Sequence, residues 1–367
     1  MQATQQKANQ NNLLEKVFKL SEHGTNVKTE IIAGITTFMT MAYILAVNSN
    51  MLAEAGMDAR AVFVATALSA TISCFVMAFL SNYPIALASG MGLNAFFAYT
   101  VVLQMGYTWQ MALLGVFIEG VLFIILTVTS LREQIINCIP KDLKNAVTAG
   151  VGLFIASVGM TNAGIINTAN GTLALSSLHD PLVVLSVVGL VIAGILVCRN
   201  VRGALLLSIL LTSAIGMLTG IVTLPTKIVS LNVPSLAPTF MQAFSVPLEK
   251  IFSLDMVIVV FTFLFMDLFD SVGFLVGVAA KGNLIDENGK IPKAKQAMLA
   301  DAIGTTVGAV LGTSTVTCFM ESSAGIRTYC IYCWGFICII SILSAIIYSN
   351  TITSNRSGTY NCGGYDG

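Results

Sequence analysis

Three observations predict an all-α polytopic membrane protein. Of 367 residues, 56% are hydrophobic and only 10% charged, and mean hydropathy is +0.84, well outside the composition of soluble globular domains. The apolar residues come in blocks of roughly 17 to 25, the length that crosses hydrocarbon as a helix, and not in the alternating runs of about ten found in barrels. One block, Phe261 to Val278, holds Asp267 and Asp270 near its middle. Carboxylates at that depth are costly and are retained where they face a bundle interior and bind or relay something. The partner implied first is therefore the lipid bilayer. With zero formal charge and no basic domain, nucleic acid is not expected.

Taken in order, residues 1–28 are polar and lack the apolar core and cleavage site of a signal peptide. Lys7, Lys16, Lys19 and Lys28 precede span 1, about Ile31 to Val47, which favours a cytoplasmic N-terminus in the plasma membrane. Span 2 is about Val62 to Leu80, span 3 about Ala86 to Leu103, span 4 about Met111 to Ser130 and span 5 about Leu143 to Met160. Spans 6 to 9 are about Leu182 to Val197, Ala204 to Val222, Leu254 to Val278 and Met298 to Leu311. On this count the inside loops hold Arg132, Lys141, Lys144, Arg199, Arg202, Lys281, Lys290, Lys293 and Lys295, against Arg60, Lys227 and Lys250 outside. The segment 223–250 carries Pro225, Pro234, Pro238 and Pro247, so it is expected to be an extracellular linker between 29–222, a first repeat of spans 1 to 7, and a second, inverted repeat starting at 251.

Two segments do not read as plain helices. In ALASGMGLNAFFAYTVV, Gly90 and Gly92 lie just ahead of Asn94; in GTSTVTCFMESSAGI, a β-prone Ser-Thr-Val-Thr run precedes Glu321. Each suggests a short extended piece leading into a half-helix, which would offer backbone amides such as that of Gly92 and a helix start to a ligand near the midplane. Asn94 and Glu321 would then sit at those starts, although both residue types also serve as plain helix caps.

Asp267 and Asp270 are three residues apart and share a helix face. Two neighbouring carboxylates in a poorly solvated cavity do not readily ionise together, which leaves one able to carry a proton. His23 and His179 fall outside the spans, so proton chemistry falls to Asp267, Asp270 and Glu321. Glu119, in GVFIEGVLFII of span 4, is either a coupling group or a structural partner of the broken segments. With no lysine or arginine to clamp an anion, the site suits a neutral heterocycle with N–H donors. Phe96, Phe97, Phe265 and Phe319 are available to stack on it, or else simply pack. Neither metal nor cofactor is expected. Cys330-x-x-Cys333 lies in a hydrophobic run without a second ligand pair and carries no redox or metal reading. Residue spacing alone reaches a proton-coupled transporter of a small polar solute.

The stretches FKLSEHGTNVKTEIIAGITTFMTMAYI, ASGMGLNAFFAYTVV, FTFLFMDLFDSVGFLVGVAAKGNLID and ADAIGTTVGAVLGTSTVTCFMESSAGI together resemble the AzgA-like purine permeases, the guanine/hypoxanthine branch of the nucleobase/cation symporters. The resemblance runs from about Phe18 to Ile326. It implies a uracil-transporter-like fold of two inverted repeats of seven spans, with core and gate domains and short strands in broken spans 3 and 10. It further implies that Asn94, Asp267 and Glu321 contact a purine nucleobase (guanine, hypoxanthine or adenine), that Asp270 supports the site, and that a carboxylate couples uptake to protons. No enzymatic activity is implied, and a homodimer is left open.

After Ile326 the composition shifts to dense cysteine and isoleucine and then a polar tail. We expect a disrupted reading frame near Arg327, with 251–326 an incomplete second repeat, Tyr329 to Tyr348 an accidental apolar span, and the chain as it stands inactive or poorly folded. Two other functions compete. An anion transporter of the same fold would want positive potential where Glu321 stands. An intramembrane aspartyl protease would want its acids on facing helices, whereas Asp267 and Asp270 share one. The orientation is testable: a periplasmic-type phosphatase fused after residue 57 should be active and one fused after residue 140 inactive, and the opposite pattern would invert the topology.

Overall fold

The computed structural model describes residues 26–129, 131, 141–167, 174–175, 179–199, 201, 204–221, 234–247, 251, 253–281, 284, 291–319 and 321–322. Residues 1–25 and 323–367 lie outside this set, so the expectations for the N-terminal segment, for Cys330 and Cys333 and for the altered tail fall outside the described residues.

Span 1 consists of α1 (Val27–Met41) and α2 (Tyr43–Glu54), separated at Ala42. Asn26 caps α1, its side chain accepting from the Thr29 amide at 3.0 Å. Span 2 is α3 (Ala59–Leu80), begun by Asp58, which accepts from the amides of Arg60 and Ala61. Span 3 is broken: strand β1 (Leu87–Ser89), a short α4 (Met91–Ala95) and a π-helix over Phe96–Gln104. Then come α5 (Trp109–Val128) and α6 (Lys141–Asn162), followed by a small hairpin of β2 (Ile166–Asn167) and β3 (Ala174–Leu175). Next are α7 (Pro181–Cys198), capped by Asp180 with proline in its first turn, and α8 (Ala204–Leu218). The last elements are α9 (Leu254–Lys281), α10 (Ala294–Leu311) and β4 (Val316–Cys318). The helices thus stand where spans 1 to 9 are expected. Among the described residues five are long and apolar enough to cross a membrane: Val27–Glu54, Ala59–Leu80, Trp109–Val128, Pro181–Cys198 and Leu254–Ala279.

The core is the packing of α10 between α3 and α5, with α9 on α5 and α2 on α3. Apolar burial cannot drive this association in lipid, so close backbone approach must. The sequence supplies small residues for it. A Cβ on Gly120 of α5 would lie 2.5 Å from Thr306 Oγ1 and 2.9 Å from its backbone nitrogen, and one on Gly304 of α10 would lie 2.5 Å from Ser73 Oγ on α3. α7 and α8 form a separate pair, and α8 also touches α1. On α7 the buried residue is Val183, while Leu182, Leu190, Val191, Ile195 and Val197 are exposed, a surface suited to lipid tails.

The expected linker is more than a connection. Its described part, 234–247, includes a 3-10 turn over Gln242–Ser245 that packs on α5. The Met241 amide donates to Val310 O at 2.8 Å and Thr239 Oγ1 to Leu311 O at 3.2 Å, so the linker caps the last carbonyls of α10. Gly312 ends that helix at φ 95°, where an added Cβ would meet Thr239 at 2.4 Å.

The tight contacts give a prediction. Gly120→Ala forces α5 from the α10 backbone and should cost about 1–3 kcal/mol, lowering the temperature at which the detergent-purified protein loses monodispersity. Gly194→Ala on α7, which meets nothing within 4 Å, should leave that temperature unchanged or slightly higher.

Candidate functional site

Breaking two spans at membrane depth frees backbone groups that lipid cannot satisfy. Here the two breaks satisfy each other. β1 and β4 pair antiparallel, with Leu87 opposite Cys318, Ala88 opposite Thr317 and Ser89 opposite Val316. The ladder is extended at one end by the Gly90 amide donating to Thr315 O at 3.0 Å, and at the other by the Phe319 amide donating to Ala86 O at 2.9 Å. Ser322 Oγ accepts from the Ala86 amide at 2.9 Å. Valine and threonine in β4 favour the extended form, while Gly90 permits the crossing: a Cβ there would stand 2.4 Å from Thr317 Cγ2.

Beside this strand pair lies a cavity of about 140 Å³, lined by Gly90, Met91, Gly92, Asp270, Phe274, Thr317, Cys318, Phe319 and Glu321. It brings together Gly92 at the start of α4, Asp270 of α9 and Glu321 after β4, three of the six residues singled out in the sequence. The carboxylate of Glu321 accepts from the Tyr43 hydroxyl at 2.8 Å, a contact that reaches back to span 1.

The other three stand behind the cavity. Asn94 is in the first turn of α4, but the capping position is held by Gly90. Its side chain is fully buried, its oxygen accepting from Ser89 Oγ at 3.1 Å and from Ser314 Oγ, so it binds the two breaks together. Asn48 continues this seam, donating to Thr66 at 2.7 Å and Thr313 at 2.9 Å. Asp267, one helical turn before Asp270, is fully buried and accepts from Ser271 Oγ at 2.9 Å. The same hydroxyl contacts the carboxylate of Asp301 on α10. Glu119 is within hydrogen-bonding reach of Asp267 and accepts from Thr315 Oγ1 at 3.2 Å. Asp301 in turn is near enough to Asp270 for their charges to repel. Three buried carboxyls, Glu119, Asp267 and Asp301, thus form a cluster linked to the cavity through Asp270.

Of the phenylalanines considered for stacking, Phe319 lines the cavity. Phe96 and Phe97 pack against Phe263, and Phe265 is exposed beside Phe261 and Phe269. Phe274 takes the second aromatic position. Asp301 and Tyr43 were not among the expected residues. Asp301 carried a readable signal, being an acid inside an apolar span like Glu119; Tyr43 carried none, since its partner lies 278 residues away. Among the described residues no group of three His, Cys, Asp or Glu side chains has metal-holding geometry.

Comparison with known proteins agrees with this architecture. The transmembrane domain of the cyanobacterial bicarbonate transporter BicA superposes with a TM-score of 0.61 over 89% of this chain and 84% of that one, at 15% identity, a likeness of fold alone. The chain is 47% identical to the guanine/hypoxanthine permease PbuG of Bacillus subtilis (strain 168), over 85% of this chain and 73% of the relative. It is 42% identical to the adenine permease AdeP of Escherichia coli (strain K12), over 86% and 70% respectively. The model of the Permease family (Xan_ur_permease) matches residues 28–349, past the Ile326 at which the resemblance was expected to end. A mostly helical chain with apolar spans, two broken segments paired across its halves and this match belongs to the Permease family and is a polytopic membrane transporter.

Proposed function

We propose that the protein takes up purine nucleobases across the plasma membrane together with protons, its N-terminus on the cytoplasmic side. The observation that carries this reading is the cavity between the two broken spans, which presents two carboxylates, Asp270 and Glu321, the α4 start at Gly92 and the rings of Phe274 and Phe319, with no basic side chain among the described residues of its lining. Such a lining fits a flat, neutral heterocycle rich in N–H donors, and relatives at 42–47% identity bear the names of adenine and guanine/hypoxanthine permeases. In this reading Gly92, Asp270 and Glu321 contact the purine, and Asn94 and Asp267 act one layer behind. The roles of Asp270 and Asp267 are thereby exchanged relative to those implied by the family resemblance.

The proton finds its place in the carboxyl cluster. Ser271 has one hydroxyl hydrogen but meets both Asp267 and Asp301, so the bridge closes only with a proton on one of the two acids. Between their ends α3, α5, α9 and α10 carry no basic residue; Arg60, Lys281 and Lys295 stand in terminal turns. Binding at Asp270 would then be felt by Asp301 through charge, which offers a route from ligand to proton.

Uptake of radiolabelled hypoxanthine, guanine and adenine into cells lacking their own purine carriers tests the reading. Glu321→Gln and Asp270→Asn should each reduce uptake about 10- to 100-fold at unchanged membrane abundance, as expected for losing a hydrogen bond to a charged group; full activity in both would overturn the assignment of the cavity. Asp301→Asn should leave uptake measurable but no longer scaled by an imposed proton gradient. Retained gradient dependence would remove the cluster from the coupling route.

A further inference from the structure

We infer that Tyr43 is a positioning residue for the ligand site, holding the Glu321 carboxylate so that one of its oxygens faces the cavity. The inference rests on the assignment of that cavity to purines. A glutamate reaches its carboxylate through three rotatable bonds, and Glu321 sits in a turn just after β4, not inside a regular helix that would limit its reach. Left alone it would present either oxygen, or neither. The Tyr43 hydroxyl donates to Oε1 at 2.8 Å and so engages one oxygen, which leaves Oε2 for a ligand N–H. Tyr43 is not among the residues lining the cavity.

The placement of Tyr43 explains why it can do this. It is the first residue of α2, immediately after the interruption at Ala42, where the Ala42 amide still donates to Phe38 O at 2.8 Å and the chain passes from α1, which touches α8, to α2, which packs on α3 and α4. The tyrosine is thus anchored by the same bundle that fixes the start of α4. A ligand N–H at Oε2 leaves the Tyr43 contact intact, whereas a second N–H directed at Oε1 has to share that oxygen with the Tyr43 hydroxyl. Tyr43 therefore sets the aim of Glu321 and makes Oε2 its less encumbered acceptor.

The test is Tyr43→Phe, which keeps the ring and removes the hydroxyl, assayed in the full chain for hypoxanthine uptake alongside membrane abundance. The expected result is a KM about 10-fold higher with maximal rate per molecule retained. A purely structural clamp would instead lower abundance and maximal rate and leave KM in place, and either that pattern or unchanged kinetics overturns the inference. Equilibrium binding of tritiated hypoxanthine to the purified variant provides the second measurement: affinity equal to wild type overturns the inference even if the variant is poorly abundant in cells. Purine uptake by wild type with an unaltered KM in Tyr43→Phe refutes Tyr43 alone, while absence of purine uptake and binding by wild type refutes the purine assignment and this inference with it.

Discussion

The constraint on which the rest depends is that no peptide group may be left unpaired in hydrocarbon. Two spans of this protein break helical pairing at depth, and each is tolerated because the other supplies its partners through β1 and β4. Everything at the candidate site follows from that exchange. The strands cross only where Gly90 removes a side chain from the path of Thr317, and the crossing brings the start of α4, the end of β4 and the acidic face of α9 around one cavity.

A second layer of polar contacts makes this arrangement rigid. Asn94, Ser89, Ser314, Thr313, Thr66 and Asn48 form a buried seam in which side chains of α2, α3 and both breaks hydrogen-bond one another, with Asn48 Oδ1 and Asn94 Nδ2 left without a partner among the described residues. In a low-dielectric interior each such hydrogen bond is strengthened and each orphaned atom is costly, and the seam joins segments as far apart in sequence as Asn48 and Ser314. The carboxyl cluster is tied to the breaks by Thr315 and Glu119. The cavity is therefore bordered by one network that fixes geometry and another that carries charge.

Much of this was legible in the sequence. The spans were readable because block length follows bilayer thickness, and the two breaks because Gly90 and Gly92 in one and the Ser-Thr-Val-Thr run in the other contradict a helix. Asp270, Glu321 and Gly92 were marked by type and depth. What periodicity could not give was direction: Asp267 and Asp270 are both compatible with one helix face, yet one turn of α9 separates the cluster from the cavity. Contacts between distant segments were equally invisible, as with Tyr43 and Glu321, or Ser271 and Asp301. Phe265 shows the same limit from the other side: a phenylalanine close in sequence to Asp267 and Asp270 stands beside the exposed Phe261 and the buried Phe269 and does not line the cavity.

The segment ahead of α9 bears on how such a chain could be divided. A connection between two helices need only be long enough to span the gap between them. Here Thr239 and Met241 supply the terminal hydrogen bonds of α10, and Gly312 has no room for a side chain because Thr239 occupies it. The segment thereby belongs to the framework of α10. A gene split between α8 and α9 would therefore keep α10 capped only if the cut fell before Thr239.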